Sequence, residues 1–244
     1  MTDTRFRPTN AMILAAGLGK RMRPLTATTP KPLIEVNGQA LIDHGMDRLA
    51  GAGVRSCVVN VHYLADLVEV HVRHRKDMEI IISDERDQLL DTGGGIKKAL
   101  PLLGEEPFFQ LNSDTSYWIE GVKPNLEHMI EAWDDSRMDA LLLVAETVKA
   151  IGYSGRGDFE MARDGSLSRR PEKGVTPFAY AGAALLHPRF FDGAPEGPFS
   201  MNHLFDKAIE NDRLFGVQME GVWLHIGTPE AIPAAEYAVR ESAA

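Results

Sequence analysis

The sequence predicts an α/β domain built on a mostly parallel, mixed sheet. Three observations carry this. Short apolar runs alternate along the chain with stretches whose apolar residues recur at helical spacing. The intervals between runs suit strand–helix–strand crossovers, which parallel strands require. Hydrophobic residues are 44% and charged residues 25% of 244 positions, enough for one well-filled core.

The elements follow in order. Residues 11–15 (AMILA) predict the first buried strand. Residues 39–49 predict a helix, with apolar positions at 40, 41, 42, 46 and 49, ended by Gly51-Ala52-Gly53. Residues 57–61 predict a second strand, 64–72 a helix and 79–82 a third strand. Asp91-Thr92-Gly93-Gly94-Gly95 reads as a loop before a helix that begins over 95–100. A fourth strand at 108–111, a helix near 126–133 and a fifth strand at 140–145 complete the alternation. The pattern then changes. Residues 152–177 are rich in Gly, Arg, Asp and Pro, with a hairpin turn expected at Asp164-Gly165. Residues 178–186 predict a strand entering the core, 202–209 a helix and 214–219 a strand. A closing helix is expected at 229–239, with Pro229 near its first turn. No repeat, low-complexity segment or long linker divides the chain, so residues 1–244 are read as one domain.

Composition excludes several classes. Lys+Arg number 26 and Asp+Glu 35, a formal net charge of −9, which argues against binding nucleic acid. The single cysteine, Cys57, forbids an intramolecular disulfide and disfavours a cysteine-based zinc site. Apolar runs such as 140–145 fall far short of the roughly 20 residues of a membrane helix. The N-terminus has no apolar stretch like that of a secretory signal, so a cytoplasmic protein is expected. The charge is unevenly spread. Residues 1–75 hold ten Lys+Arg against six Asp+Glu, a balance of +4 that leaves −13 for the rest. Between Ala15 and Ile34 stand Lys20, Arg21, Arg23 and Lys31, with no anion. One basic segment in an acidic protein points to a small anionic ligand.

That segment is glycine-rich. Gly17-Leu18-Gly19 directly follows the first strand, where glycine permits close approach of phosphate to main-chain N–H groups. A dinucleotide fingerprint fails, because Met22 stands at the third glycine position and Pro24, Pro30 and Pro32 prevent a continuous helix. A Walker A loop fails too, since Arg21 follows Gly19-Lys20 where Ser or Thr is needed. What remains is a long basic loop at the strand ends, where such folds bind ligands. Arg21 offers a bidentate fork to phosphate oxygens. Lys31, between Pro30 and Pro32, is expected in extended backbone, which lowers the entropy it loses on holding an anion.

The string from Leu14 to Leu33 (LAAGLGKRMRPLTATTPKPL) resembles the signature of the sugar-1-phosphate nucleotidyltransferases. The resemblance covers nearly the whole chain. It implies a Rossmann-like three-layer α/β domain with a mostly parallel mixed sheet, the nucleotide-diphospho-sugar transferase type. It also implies a nucleotide-binding part at 1–145 and a sugar-binding part at 146–244. The implied reaction is attack of a sugar 1-phosphate on the α-phosphorus of a nucleoside triphosphate, with pyrophosphate leaving. Arg21 would hold the leaving phosphates and Lys31 would neutralise the reacting ones. Ala15, Ala16, Gly17, Gly19 and Lys20 would wrap the triphosphate, and Thr92, Gly93 and Gly94 would meet the nucleobase. Asp114, in Asn112-Ser113-Asp114, matches the family's metal-binding Asp, with Ser113 in place of the usual Gly. The implied cofactor is Mg²⁺, with Mn²⁺ as an alternative.

One position departs from the family pattern. Trp223-Leu224-His225-Ile226-Gly227-Thr228 carries His225 where the family has a second metal-binding Asp. Imidazole is a softer ligand than carboxylate. His225 is left with three roles: a metal ligand, a phosphate contact, or a bystander to a metal held by Asp114 and substrate. Sugar contacts are expected from Asn112, Asp158, Glu172 and Gly182. Gly155-Arg156-Gly157-Asp158-Phe159 resembles a segment of the N-acetylmuramate-1-phosphate uridylyltransferases, whereas Glu172-Lys173 resembles a pair in hexose-1-phosphate enzymes. The partners implied are UTP and N-acetylmuramate 1-phosphate, with a place in peptidoglycan recycling. Mannose-1-phosphate guanylyltransferase, glucose-1-phosphate thymidylyl- or uridylyltransferase and a non-catalytic nucleotide-sugar sensor stay open. Neither nucleic acid nor membrane is an expected partner, and the state is a monomer or small homo-oligomer.

Overall fold

The computed structural model describes residues 6–115 and 117–242. Residues 1–5, which belong to the N-terminus weighed above for a leader, lie outside the described residues. The main sheet is laid down by β1 (Asn10–Leu14), β4 (Ser56–Val61), β5 (Glu79–Asp84), β6 (Phe108–Asn112), β8 (Ala140–Glu146), β11 (Phe178–Leu186) and β12 (Leu214–Gln218). Their spatial order is β5-β4-β1-β6-β11-β8-β12. Within this order every pair is parallel except β11–β6 and β11–β8. Four shorter strands are β2 (Glu35–Val36), β3 (Gln39–Ala40), β7 (Trp118–Glu120) and β13 (Gly221–Trp223). They form the two small antiparallel pairs β2–β3 and β7–β13. The expected hairpin is present, with β9 (Phe159–Met161) and β10 (Leu167–Arg169) turning at Gly165, whose φ is +87°.

Why the strands read as unbroken apolar runs is visible in their neighbours. Ala11, Ile13, Cys57 and Val59 face one core, while Met12 and Val58 between them face another. The first core is closed by α1 (Leu41–Gly51), α2 (Ala65–Val72) and α4 (Asn125–Ala132), through Met46, Val68 and Met129. The second is closed by α3 (Asp91–Leu103) and α5 (Met201–Glu210), through Ile96, Leu103, Leu204 and Phe205. The result is three layers. Burial pushes the Cys57 thiol up to about 12, so it is inert at neutral pH. A third, smaller core joins Met22 and Ile34 of the basic loop to Leu224, Ile226 and Ala235, the last in α6 (Ala231–Ser242). It ties the loop to the far end of the chain.

Three expectations need correction. The triple glycine is not a loop before α3: the helix begins at Asp91, and the glycines form its first turn. Packing overrides glycine's poor helix propensity there. Lys31 is not extended. Pro30 carries the extended backbone, with φ −63° and ψ 144°, and Lys31 opens a short 3₁₀ turn. Pro32 fits that turn because its missing N–H has no partner to lose there. The closing helix starts at Ala231, after Pro229, and the proline of its first turn is Pro233.

Candidate active site

The carboxyl ends of β1, β4 and β6 open on a cavity of about 490 Å³. Ala15, Ala16, Gly17, Gly19, Lys20, Arg21 and Lys31 line it from the basic loop. Leu89, Asp91 and Thr92 line it from the start of α3, and Asn60, Asn112, Ser113 and Asp114 from the strand ends. This is the crevice at which open α/β sheets take ligands.

Gly19 makes the loop possible. Its φ is +59°, and a Cβ there would stand 2.8 Å from the Thr26 methyl. Thr26 Oγ1 donates to Gly19 O at 2.9 Å, and Tyr63 OH donates to Thr26 O at 2.8 Å. The loop is therefore a set of short turns pinned to α/β framework residues. Arg21 is exposed and has no hydrogen bond or ion pair among the described residues, so its fork is free for an anion. Lys31 is buried, and its Nζ lies 2.7 Å from Asp114 Oδ2. A buried ammonium and a carboxylate at one cavity wall are a charge pair that a phosphate or a cation can reorganise.

Behind the strand-end residues lies a relay of side chains. Tyr180 OH donates to Gln110 Oε1 at 2.6 Å, and Gln110 Nε2 to Asn112 Oδ1 at 2.9 Å. Asn112 Nδ2 donates to Thr115 Oγ1 at 3.2 Å. Gly182 sits at the register shift of β11, with φ +82°. A Cβ there would meet Thr115 Oγ1 at 2.3 Å and Asn112 Nδ2 at 3.3 Å. The structure thus brings Asn112 and Gly182 together. Asp158 is engaged in the fold, its Oδ2 accepting from Tyr180 N at 2.9 Å. Glu172 lies on an exposed turn outside the cavity lining. Its main-chain oxygen accepts from Arg170, which also holds the oxygens of Gly157, Pro171 and Gly174. Sequence reasoning passed over Arg170 because a guanidinium that staples a loop through carbonyls leaves no spacing signal.

His225 stands among the site's charges. Burial holds its imidazole below the usual value; Asp114 opposes this, and Lys31 and Arg21 add to it. Its Nδ1 is buried with no hydrogen-bond partner. Among the described residues no three His, Cys, Asp or Glu side chains gather as a self-sufficient metal cage. His225 is not among the cavity-lining residues; as a donor set, one carboxylate and one unpartnered imidazole nitrogen are compatible with a divalent cation that shares its shell with phosphate oxygens.

Gly93 and Gly94 do not line the cavity. Their N–H groups donate to Phe199 O at 2.9 and 3.1 Å. A Cβ on Gly94 would lie 2.3 Å from Gly197 O, and one on Gly93 2.3 Å from the Phe199 ring. These N–H groups hold the segment that enters α5 and are not free to bond a nucleobase. Thr92 does both jobs: it lines the cavity, and its Oγ1 accepts from Met201 N at 2.9 Å. Asn60 and Glu85, which sequence reasoning missed, stand beside this helix start. The available signal was a lone Asn inside the apolar run of β4.

Comparison with known proteins places the chain in a family. Residues 10–242 match the family model described as Nucleotidyl transferase. The chain is 46% identical over 239 residues to the N-acetylmuramate alpha-1-phosphate uridylyltransferase of Caulobacter vibrioides, covering 96% of this chain and 98% of that one. It is 34% identical over 222 residues to the protein of the same name in Neisseria meningitidis, covering 89% and 93%. Among solved structures it is similar in fold to the inositol-1-phosphate CTP transferase from T. maritima. The TM-score is 0.77 and the identity 17%, with 97% of this chain and 96% of that chain covered. With the family model spanning the sheet, the basic loop and the strand-end carboxylate alike, the chain belongs to the nucleotidyl transferase family, as a sugar-1-phosphate nucleotidyltransferase.

Proposed function

We propose that this chain transfers the uridylyl group of UTP to N-acetylmuramate 1-phosphate, giving UDP-N-acetylmuramate and pyrophosphate. The observation that carries the reading is the convergence of Arg21, Lys31 and Asp114 on one cavity at the sheet's carboxyl edge. The 46% identity to a uridylyltransferase of that substrate supports the choice of base and sugar.

Such a transfer needs positioning and charge neutralisation more than a covalent nucleophile. The sugar-phosphate oxygen attacks the α-phosphorus, the bond to the bridging oxygen breaks, and the electrons leave with pyrophosphate. Main-chain N–H groups from Ala16 to Lys20 cradle the triphosphate. Arg21 neutralises the leaving phosphates. Lys31 releases Asp114 and takes up charge developing on the transferring phosphate. Asp114 and His225 would hold a divalent cation, Mg²⁺ or Mn²⁺, which when bound supplies Lewis-acid neutralisation of phosphate oxygens. Asn112, Gly182 and the loop around Asp158 receive the sugar, with Glu172 at the rim. The similarity to N-acetylmuramate alpha-1-phosphate uridylyltransferases supports a role in peptidoglycan recycling, with the cytoplasm as the proposed place of action.

The test is pyrophosphate release measured for each of the four ribonucleoside triphosphates with N-acetylmuramate 1-phosphate and Mg²⁺. UTP is expected to give the highest kcat/KM. A preference for GTP or no release at all would contradict the proposal.

A further inference from the structure

Two of the segments that line the cavity, the loop after β1 and the start of α3, have no main-chain hydrogen bond between them among the described residues. Beneath the cavity they are joined by a buried bridge. Ala15 N donates to Asn60 Oδ1 at 2.7 Å. Asn60 Nδ2 donates to Glu85 Oε1 at 2.8 Å. Glu85 Oε2 accepts from Leu90 N, the residue before α3, at 3.0 Å. Asn60 is 2% and Glu85 1% exposed, so water does not compete for these bonds. Val61 O and His62 Nδ1 fix the main chain of Glu85, through its N at 2.9 Å and its O at 2.7 Å.

The bridge has a fixed polarity. Two main-chain donors stand at its ends, one from each segment. Between them an amide must present oxygen to Ala15 and nitrogen to a carboxylate, and the carboxylate must accept at both oxygens. Reversing the Asn60 amide would set its nitrogen against Ala15 N and its oxygen against the carboxylate, breaking two of the three bonds. The third glycine of the α3 turn is part of the same device. A Cβ on Gly95 would stand 2.7 Å from Glu85 Oε1 and 3.0 Å from Asn60 Nδ2. Neither atom can withdraw without breaking a bond of the bridge.

We infer that Asn60 and Glu85 are positioning residues that set the spacing of the nucleotide slot by tying the phosphate loop to the helix start, with Gly95 making room for them. Neither needs to touch the base or the reacting phosphorus. The inference rests on the reading of the cavity as the nucleotide site.

The polarity supplies a test. Glu85→Gln puts an amide nitrogen against either Asn60 Nδ2 or Leu90 N, two donors face to face. Asn60→Asp sets two carboxylates together. The double variant N60D/E85Q reverses the order and satisfies it again. The carboxylate now at position 60 would accept from Ala15 N and from the amide now at position 85, whose oxygen accepts from Leu90 N. UTP affinity is measured by calorimetry with Mg²⁺, well below each variant's Tm, and KM is measured separately for UTP and for the sugar 1-phosphate. Each single variant is expected to raise the Kd for UTP at least about tenfold, the equivalent of one lost charge-assisted hydrogen bond. The double variant is expected to return within about threefold of wild type. KM for the sugar 1-phosphate should stay within about twofold throughout. Gly95→Ala should resemble the single variants.

If the single variants do not fold, the double variant decides alone. A double variant with wild-type Tm but a Kd still raised tenfold overturns the positioning role, as do folded single variants with unchanged Kd. Equal losses in both KM values would show a general structural defect and overturn it as well. Wild-type protein that binds no UTP overturns the nucleotide reading itself, and the bridge's role with it.

Discussion

Alanine at Lys31 or at Asp114 separates the stability of their ion pair from its use in catalysis. The two groups are 2.7 Å apart, and their side chains are 7% and 29% exposed. At an effective dielectric of about 20 the bare attraction is about 6 kcal/mol, most of it cancelled by desolvation. The cost of losing one partner then depends on whether water reaches the survivor. Asp114→Ala strands a buried ammonium and should cost about 3 kcal/mol, the lower end for breaking a buried pair. Lys31→Ala leaves a carboxylate that water can reach and should cost about 1 kcal/mol. The double variant should cost less than the two singles together, because no charge is stranded. Catalysis divides differently. Each single variant should lower kcat by about 10²–10³, since each removes charge matched to the transferring phosphate. Urea melts give the stabilities, and pyrophosphate release at saturating substrate gives the rates. Asp114→Ala as stable as wild type would refute the burial argument. Lys31→Ala retaining more than about a tenth of wild-type kcat would refute the catalytic one.

Other substitutions probe other links. Gly94→Ala forces a methyl to within 2.3 Å of Gly197 O and should cost about 2 kcal/mol or more, read as a fall in Tm. Gly182→Ala combines φ +82° with a 2.3 Å approach to Thr115 Oγ1 and should raise KM for the sugar 1-phosphate more than KM for UTP. His225→Ala should raise the Mg²⁺ concentration for half-maximal rate about tenfold, or 1.4 kcal/mol, with direct Mn²⁺ titration of the UTP complex as the independent readout. Asp139 tests pH dependence. Burial alone would raise its pKa, but hydrogen bonds from Arg213 and Arg189 outweigh it and hold the carboxyl below the usual range. Its stabilisation is therefore present above about pH 4 and lost as pH falls further. Asp139→Asn should lower stability at pH 7, and the difference should shrink in urea melts below pH 4.

Much of this was legible from residues. Strands buried on both faces read as apolar runs, and the loop from Gly17 to Lys31 was marked by glycine, proline and charge together. Arg21, Lys31 and Asp114, which line one cavity, were singled out because the cations stand in a glycine-rich, anion-free segment and Asp114 matches a family motif. What stayed hidden depends on tertiary partners. Gly93 and Gly94 look like a ligand turn, yet their N–H groups belong to Phe199, over a hundred positions away in sequence. Glu85 is an unremarkable acidic residue after a strand until Asn60 and Leu90 are seen around it. The partial burial of His225, which lowers its pKa, is a tertiary effect that no spacing encodes. Sugar choice was the hardest to read, because Asp158 and Arg170 serve the fold through main-chain contacts.

The most direct measurement is the discrimination between sugars with UTP held fixed. Wild-type protein is given UTP, Mg²⁺ and either N-acetylmuramate 1-phosphate or N-acetylglucosamine 1-phosphate, and the nucleotide sugar formed is identified by mass. The account predicts UDP-N-acetylmuramate as the product, with kcat/KM at least about tenfold above that for the sugar lacking the lactyl carboxylate. Equal or better use of N-acetylglucosamine 1-phosphate would contradict it.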